Sequence, residues 1–289
     1  MNIRESVELL HQYGHFRHPA MPNGWNVGPA VFDLLKPDDR VTRDATASFQ
    51  EFNGLPVTGD LGPATLALLG AERCGCPDYP DPTAAVGSGS WEMPCQKDGV
   101  TVSVDERGCS YVDWLPEILR DVFAGYAAIG FRLKKIDSGI GNIHLTFPVL
   151  PGQTIGLAQF PSGSCSDRVF CKLDPGYRPN IRQVKGLLFH EIGHNVGLNH
   201  QNRGTDEGHG GHMHSSIREI LEFLGWYTFK NDPSLPFLRR YFGGEPLDPV
   251  TPPPPPGPNP ILDTFTIAGV SYEIRKAGGT VPGPGPFPA

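Results

Sequence analysis

Three histidines in residues 190 to 200, which read HEIGHNVGLNH, are spaced so that they can bind one metal ion. On a helix, His190 and His194 are one turn apart and face the same way, so both imidazoles reach the same point. Gly197 can adopt a positive φ and end the helix, and the turn that it permits brings His200 back toward the other two. The sequence therefore predicts a site with three imidazole ligands, a set that zinc accepts.

Glu191 supplies the other chemistry of this stretch. Three protein ligands leave the fourth position of a zinc ion for water, and the ion lowers the pKa of that water to about 7. Glu191 follows the first histidine directly, so its carboxylate can take a proton from the water. We therefore expect a zinc-dependent hydrolase with Glu191 as the catalytic base, and the intact Glu191 argues against an inactive, zinc-stabilised scaffold.

The residues around the histidines predict the helix that they need. Asn180 is a suitable N-cap for a helix over residues 180 to 196. Apolar residues recur along it at helical spacing, at Ile181, Val184, Leu188, Ile192 and Val196. This spacing predicts a helix with one buried stripe.

The full pattern of this stretch resembles the metzincin signature, H-E-x-x-H-x-x-G-x-x-H followed by a methionine turn. Met213 in GGHMHSS is the only methionine after the histidines, and the resemblance assigns it to the turn beneath the metal. The resemblance implies a zinc endopeptidase of α+β class, in which the catalytic domain has long helices, a zinc cleft and a twisted, mostly parallel five-stranded sheet.

A second motif lies upstream, in AERCGCPD at residues 71 to 78. It resembles the R-C-G-x-P-D cysteine switch of the matrixins, the matrix metalloproteinase branch of the metzincins. In that family the cysteine thiolate, a strong zinc ligand, fills the open zinc position and keeps the enzyme latent. By this resemblance Cys74 is the inhibitory ligand, and Arg73 and Asp78 are a pair that holds the segment.

The sequence departs from the switch motif at Cys76. Cys74 and Cys76 are either both free or joined in a small strained disulfide, and an oxidised Cys74 would not bind zinc. The chain has six cysteines, and sequence alone does not fix how they are connected. The order of the other four favours two local disulfides, Cys95 with Cys109 and Cys165 with Cys171.

The segment before the switch motif carries apolar residues at helical spacing, in LLHQYGHF and in residues 41 to 70, with glycine and proline at the turns. It resembles the small helical peptidoglycan-binding-like domain that forms the matrixin propeptide. The same fold also occurs as a cell-wall binding module. We favour the propeptide interpretation because the switch motif follows directly, and a peptidoglycan-binding protein or a wall-targeted metallohydrolase is the alternative.

The segment between the two motifs alternates between strand and helix patterns. Residues 100 to 105 predict a strand, and residues 112 to 130 predict a helix with one apolar face. Three further strands are predicted in FRLKKID, NIHLTFPVL and TIGLAQFP. TIGLAQFP resembles the matrixin edge strand, against which a substrate peptide pairs as an added strand.

These patterns divide the chain into five parts. The parts are a propeptide at 1–80 ending in the switch, an activation linker at 81–91, the catalytic domain at 92–245, a proline-rich linker at 246–260 and a tail at 261–289. A proline run stiffens the linker at 246–260. The tail has the alternating pattern of a short hairpin.

Composition bounds the partners of the chain. A hydrophobic content of 38% with 19% charged residues is ordinary for a globular protein. A net charge of −7 without a Lys/Arg-rich run argues against nucleic acid, and no apolar run is long enough to span a bilayer. The cysteines and the protease motif indicate a secreted protein, although the N-terminus shows no Sec signal. We expect a monomer that acts on protein or peptide substrates, with cell wall or extracellular matrix as further partners.

Some patterns leave alternatives open. Calcium ligands are not assigned, and Asp174 in LDPGY is only a weak candidate. Met213 followed by His214 resembles the astacin branch, so the subfamily stays open between matrixin and astacin. His209, His212 and His214 could add a metal ligand, but histidines in a glycine-rich loop are more often simply solvated.

Overall fold

The computed structural model of the chain describes residues 1–17, 29–79, 99–128, 131–162, 164–178, 180–200 and 213, and two strands at 261–267 and 270–275. The chain divides into two compact units, Met1–Glu245 and Pro246–Ala289. The activation linker at 81–91 and the proline-rich linker at 246–260 lie outside the described residues. None of the helices in the described ranges is long and apolar enough to cross a membrane.

Three helices form the N-terminal domain: α1 (Ile3–Gln12), α2 (Arg40–Phe52) and α3 (Pro63–Leu69). Short 3-10 turns lie between α1 and α2, at His15–Arg17 and Pro29–Leu34. α1 begins in a capping box, since the Asn2 side chain accepts from the Glu5 backbone N–H at 2.9 Å and the Glu5 carboxylate accepts from the Asn2 N–H at 2.8 Å. Apolar side chains from all three helices bury one small core, which includes Val7, Leu10, Phe16, Ala45, Phe49 and Leu69.

A six-stranded sheet and two longer helices form the rest of the first unit as far as it is described. The strands are β1 (Arg73–Cys74), β2 (Val100–Val104), β3 (Leu133–Lys135), β4 (Ile143–Thr146), β5 (Thr154–Ala158) and β6 (Val169–Leu173). Their order across the sheet is β1-β5-β6-β4-β2-β3. Only the pair β5 and β6 is antiparallel, and the other four pairs are parallel.

The structure is of α+β class, and its sheet is mostly parallel as the sequence predicts. Residues after the switch motif contribute the five predicted strands, β2 to β6, and the two-residue β1 of the switch motif adds a sixth at the edge of β5. β2 to β5 lie within the segments predicted as strands, whereas β6 was not predicted from its own residues. Every second side chain of β6 is buried, so its VFCKL alternation indicates a strand covered on one face.

The two longer helices, α4 (Leu115–Ala128) and α5 (Ile181–Asn195), pack against each other beside the sheet. A 3-10 turn at Val112–Trp114 precedes α4, so the helix predicted over residues 112 to 130 starts later than expected. The Tyr126 hydroxyl of α4 donates to the Phe189 carbonyl of α5 at 2.7 Å, and the two rings stack with centroids 4.5 Å apart. This contact fixes α5, the helix of the histidines, against α4.

The second unit contains one antiparallel pair of strands, β7 (Ile261–Ile267) and β8 (Val270–Arg275). Ile267 pairs with Val270, and two residues separate the strands along the chain. The pairing fits the alternating pattern of the sequence.

Candidate metal centre

Local chain geometry positions the three histidines. The Asn180 side chain accepts from the Gln183 backbone N–H at 3.0 Å and caps α5 at its N-terminus, as the sequence predicts. After the helix, Gly197 has φ of 98°, in the left-handed region that favours glycine. The backbone N–H of Leu198 then donates to the Gly193 carbonyl at 2.9 Å, so the chain turns back over its own last turn and returns toward α5.

The Nε2 atoms of His190, His194 and His200 meet at one point. His194 Nε2 is 3.1 Å from both of the others, and His190 Nε2 and His200 Nε2 are 3.3 Å apart. His190 and His194 are fully buried and His200 is only 5% exposed. Three ring nitrogens converge in a closed site, which is the arrangement that the sequence predicts.

The other ring nitrogens of two histidines have acceptors that fix the tautomer. His194 Nδ1 donates to the Leu198 carbonyl at 2.7 Å, and His200 Nδ1 donates to the Asp78 carboxylate at 2.8 Å. Burial lowers the pKa of His200 to about 4, so its ring is neutral near pH 7. These Nδ1 bonds leave the Nε2 atom of each ring facing the cluster, where a metal ion would bind.

Cys74 brings a sulfur to the same point. Its Sγ lies 3.4 Å from His194 Nε2, and the four donor atoms of Cys74, His190, His194 and His200 all lie within 4.8 Å of one another. Three imidazole nitrogens and one thiolate are a donor set that tetrahedral zinc takes. The residues that the structure brings together thus fit a zinc ion.

Pairing between β1 and β5 delivers Cys74. Cys74 lies opposite Gly156, and the Gly75 N–H donates to the Gly156 carbonyl at 2.8 Å. A Cβ at position 75 would lie 2.6 Å from the side-chain Cγ2 of Thr154 and 3.4 Å from the Gly156 carbonyl oxygen, so any side chain here would crowd β5. The short strand therefore depends on the glycine of the switch motif.

Arg73 and Asp78 form the buried ion pair that the switch motif predicts, and the structure adds partners to both. The Arg73 guanidinium lies 3.8 Å from the centre of the Tyr13 ring. Asp78 also accepts from His15 Nε2 at 3.0 Å. Burial alone would raise the pKa of Asp78, but Arg73 and the bonds from His15 and His200 hold it well below its usual value.

The sequence does not reveal that Tyr13 contacts Arg73 or that His15 contacts Asp78. Both lie in the LLHQYGHF stretch, where they resemble ordinary members of an apolar helix end. The backbone N–H groups of Asp78 and Tyr79 donate to the Tyr13 carbonyl at 2.8 and 3.4 Å. The one sequence signal for these contacts is a histidine, His15, among apolar residues, and it does not indicate which residue His15 pairs with.

Glu191 lies beside the donor cluster, fully buried. Its two carboxylate oxygens have no hydrogen-bond partner among the described residues. Burial raises the pKa of Glu191 well above its usual value, which makes the carboxylate a better proton acceptor. A Cβ at Gly156 would lie 2.2 Å from Glu191 Oε1, so the carboxylate occupies the space of a missing side chain on β5.

Cys74 and Cys76 are both free thiols, as are Cys109 and Cys171. The predicted local disulfides, Cys95 with Cys109 and Cys165 with Cys171, are therefore wrong, because each includes a free cysteine. Cys165 is disulfide-bonded, but not to Cys171. Cys171 lies on β6 and faces the core with no exposed surface, which its distance along the chain from Cys165 does not reveal. Cys95 lies outside the described residues.

Cys76 lies close to the same site. Its Sγ is 3.3 Å from the Ala158 carbonyl, and its backbone N–H points to Cys74 Sγ at 3.3 Å. One sulfur, nitrogen or oxygen atom each from Cys74, Cys76, Glu191 and His194 also lie within 4.8 Å of one another. The departure from the switch motif therefore places a second thiol next to the cluster.

Met213 packs against α5 beside Gly193. It is fully buried, and a Cβ on Gly193 of α5 would lie 2.3 Å from its Sδ. The neighbours His209, His212 and His214 lie outside the described residues.

Asp174, the weak calcium candidate, caps a turn. Its carboxylate accepts hydrogen bonds from the backbone N–H groups of Gly176 at 2.7 Å and Leu150 at 2.6 Å.

Comparison with known proteins finds a family match for the N-terminal helices and more distant relatives over longer parts of the chain. Residues 3–69 match the family described as "Putative peptidoglycan binding domain". Matrilysin from Mus musculus is 27% identical over 176 residues, which cover 54% of this chain and 64% of that protein. Matrilysin from Rattus norvegicus is 27% identical over 56% of this chain and 67% of its own.

Two further matches cover other shares of the chain. Matrix metalloproteinase-19 from Homo sapiens is 26% identical over 89% of this chain, and the match spans about half of that protein, 51%. The solved structure of myroilysin aligns at a TM-score of 0.31 and 16% identity, over 47% of this chain and 56% of its own. The sequence matches support a matrixin-like metalloprotease that carries a peptidoglycan-binding-like N-terminal domain.

Proposed function

We propose that this chain is a latent, secreted zinc endopeptidase that hydrolyses peptide bonds in protein substrates. The observation that carries the proposal is the convergence of His190, His194 and His200 Nε2 atoms with Cys74 Sγ in one buried site. Three of these donors come from one helix and its turn, and the fourth comes from another domain. Three fixed ligands with one displaceable ligand are what a latent catalytic site requires.

The residues of the site then divide the catalytic work. A zinc ion bound by the three histidines would polarise the scissile carbonyl and acidify a water molecule. Glu191 accepts a proton from that water and later passes it to the leaving amine. Its burial and raised pKa suit both steps, because the carboxylate must hold a proton between them.

The N-terminal domain keeps the site latent in two ways. Cys74 fills the position that water needs, and β1 pairs with β5 along the edge where we expect a substrate strand to add. Beyond β5 on that side of the sheet there is no other strand among the described residues. The N-terminal domain therefore covers both the metal ligands and the edge of β5 to which we expect the substrate to pair.

Metal content and peptide hydrolysis, measured before and after a single cut, test the proposal. The purified full chain should contain about one zinc ion and hydrolyse an unbiased peptide library only slowly. A cut between Tyr79 and Trp91 should release the N-terminal domain and activate hydrolysis, because the switch dissociates once its tether is lost. A chain without zinc, or one that stays inactive after the cut, would contradict the proposal.

Secretion is part of the proposal, and the N-terminal match and the matrixin relatives support it. The match of residues 3–69 also favours a second candidate function, binding to peptidoglycan. Full chain with Glu191→Ala should then co-sediment with purified cell-wall sacculi, and a competing soluble wall fragment should release it. A protein that binds the wall but shows no hydrolysis after the cut would favour this second function over the first.

A further inference from the structure

Asp78 touches a metal ligand as well as its expected partner Arg73. We propose that the N-terminal domain supplies, through Asp78, the carboxylate that orients the ligand His200, and that His15 holds this carboxylate in place. This inference rests on the zinc site proposed above. It makes Asp78 and His15 positioning residues of the metal site, which is a role beyond holding the switch segment.

The contacts of Asp78 carry the first step. Asp78 Oδ1 accepts from His200 Nδ1 at 2.8 Å, although the two residues are 122 positions apart. Asp78 Oδ2 accepts from His15 Nε2 at 3.0 Å. The side chains of all three residues are fully buried, so no water competes for these bonds.

The contacts of His15 carry the second step. Because a carboxylate only accepts, His15 Nε2 carries a hydrogen, and its Nδ1 lies 3.1 Å from the Ser48 hydroxyl of α2. The edge of the His15 ring also packs against the rings of Phe49 and Tyr79, at centroid distances of 5.2 and 5.4 Å. One line of hydrogen bonds thus joins α2 of the N-terminal domain to the metal site.

His200 differs from His194 in where its support comes from. His194 Nδ1 donates to the carbonyl of Leu198, only four residues away in its own turn. His200 Nδ1 donates to a residue of another domain. Outer partners of this kind fix the ring and raise the basicity of a metal ligand, and their loss costs about 10- to 100-fold in metal affinity. The hold of the site on zinc should therefore depend on Asp78.

The direct test measures zinc affinity by chelator competition in the full chain with Cys74→Ser, so that the switch sulfur does not dominate binding. Asp78→Asn should weaken zinc binding about tenfold or more. It should also change the visible spectrum of the cobalt-substituted protein. Asp44→Asn removes the same charge from a partly exposed residue of α2 that pairs with Arg40 at 3.6 Å, and it should leave both readouts unchanged. Equal zinc affinity in Asp78→Asn and its parent would overturn the inference.

Variants of His15 keep the test decisive if Asp78→Asn fails to fold. His15→Phe removes the donor to Asp78 and should weaken zinc binding several-fold, less than Asp78→Asn because His15 acts on the ligand only through Asp78. His15→Gln keeps an N–H donor and should restore most of the loss, which a role in packing alone would not do. Identical zinc affinity in the two His15 variants would overturn the inference. A parent chain that binds no zinc would instead contradict the proposed function.

Discussion

Two segments meet at the candidate metal centre, and they are built by different means. The segment from His190 to His200 lies on a helix and one turn, so its own backbone sets the distances between its side chains. The segment from Arg73 to Asp78 has only a two-residue strand, and partners from distant parts of the chain hold it. The geometry of the first segment is set locally by its helix and turn. The geometry of the second segment is set by its contacts with distant residues.

The difference bears on the roles that we propose. The three histidines that would hold the metal permanently come from one continuous stretch, and only the outer partner of His200 lies in the segment that leaves. A removable ligand should depend on many contacts that are lost together, and Cys74 has this character. The comparison predicts that changes in the first segment abolish zinc binding or peptide hydrolysis. Changes in the second segment should make the uncut protein active.

Metal retention should give the largest contrast between the two segments. His194→Ala removes the histidine whose Nε2 lies 3.1 Å from both of the others, and we expect zinc to be lost on dialysis against a chelator. Cys74→Ala leaves the three histidines and should keep about one zinc per chain. Zinc analysis after dialysis measures both, and equal retention in the two variants would remove the distinction.

Loss of the catalytic base should give the next largest effect. Glu191→Ala should keep its zinc but lose activity by about a hundredfold or more after activation, because it removes the buried carboxylate beside the donor cluster. Rates of peptide cleavage by the cut protein measure this. Glu106→Ala changes an exposed glutamate and should leave the rate unchanged. Activity of Glu191→Ala close to that of the unaltered protein would exclude the residue from catalysis.

The two thiols of the second segment should differ in their effect on latency. Cys74→Ser should be active without a cut, because a hydroxyl is a much poorer zinc ligand than a thiolate. Cys76→Ser should stay latent, because its sulfur donates toward the Ala158 carbonyl and Cys74 keeps its place. Peptide cleavage by the uncut proteins measures the difference. The idea fails if both variants behave alike, or if mass spectrometry of the latent protein finds Cys74 joined to Cys76.

The smallest effect should come from crowding the short strand. In Gly75→Ala the new Cβ would lie 2.6 Å from Thr154 Cγ2, and such overpacking costs about 1 to 3 kcal/mol. We expect the uncut protein to leak activity about tenfold above the parent, the change that 1.4 kcal/mol gives. Thr154→Ser removes the opposing methyl group and should reverse the leak. Gly62→Ala places its Cβ in open space and serves as the control.

The sequence predicts the first segment well because its geometry follows from short-range rules. Spacing by one helical turn puts His190 and His194 together, and the left-handed residue Gly197 is where the motif requires it. Neither rule needs a partner from elsewhere in the chain. The same holds for the Asn180 cap and for the alternation that predicts β2.

The second segment could be predicted only in part. Its motif names Arg73 and Asp78 as a pair, and they do meet. It does not name Tyr13, His15 or His200 as their neighbours, since those contacts arise from tertiary packing over 60 or more residues. The disulfide predictions fail for a similar reason, because order along the chain does not tell which face of the sheet a cysteine such as Cys171 lies on.

The backbone bonds from Asp78 and Tyr79 to the Tyr13 carbonyl have a further consequence for activation. The end of the switch segment is fastened to the end of α1, and Arg73 at its start lies over the Tyr13 ring. Scission after Tyr79 would therefore free a folded body that still presents Cys74, rather than a loose strand. Such a body can rebind, so the activity of the cut enzyme should rise on dilution and fall when the released fragment is added back in trans.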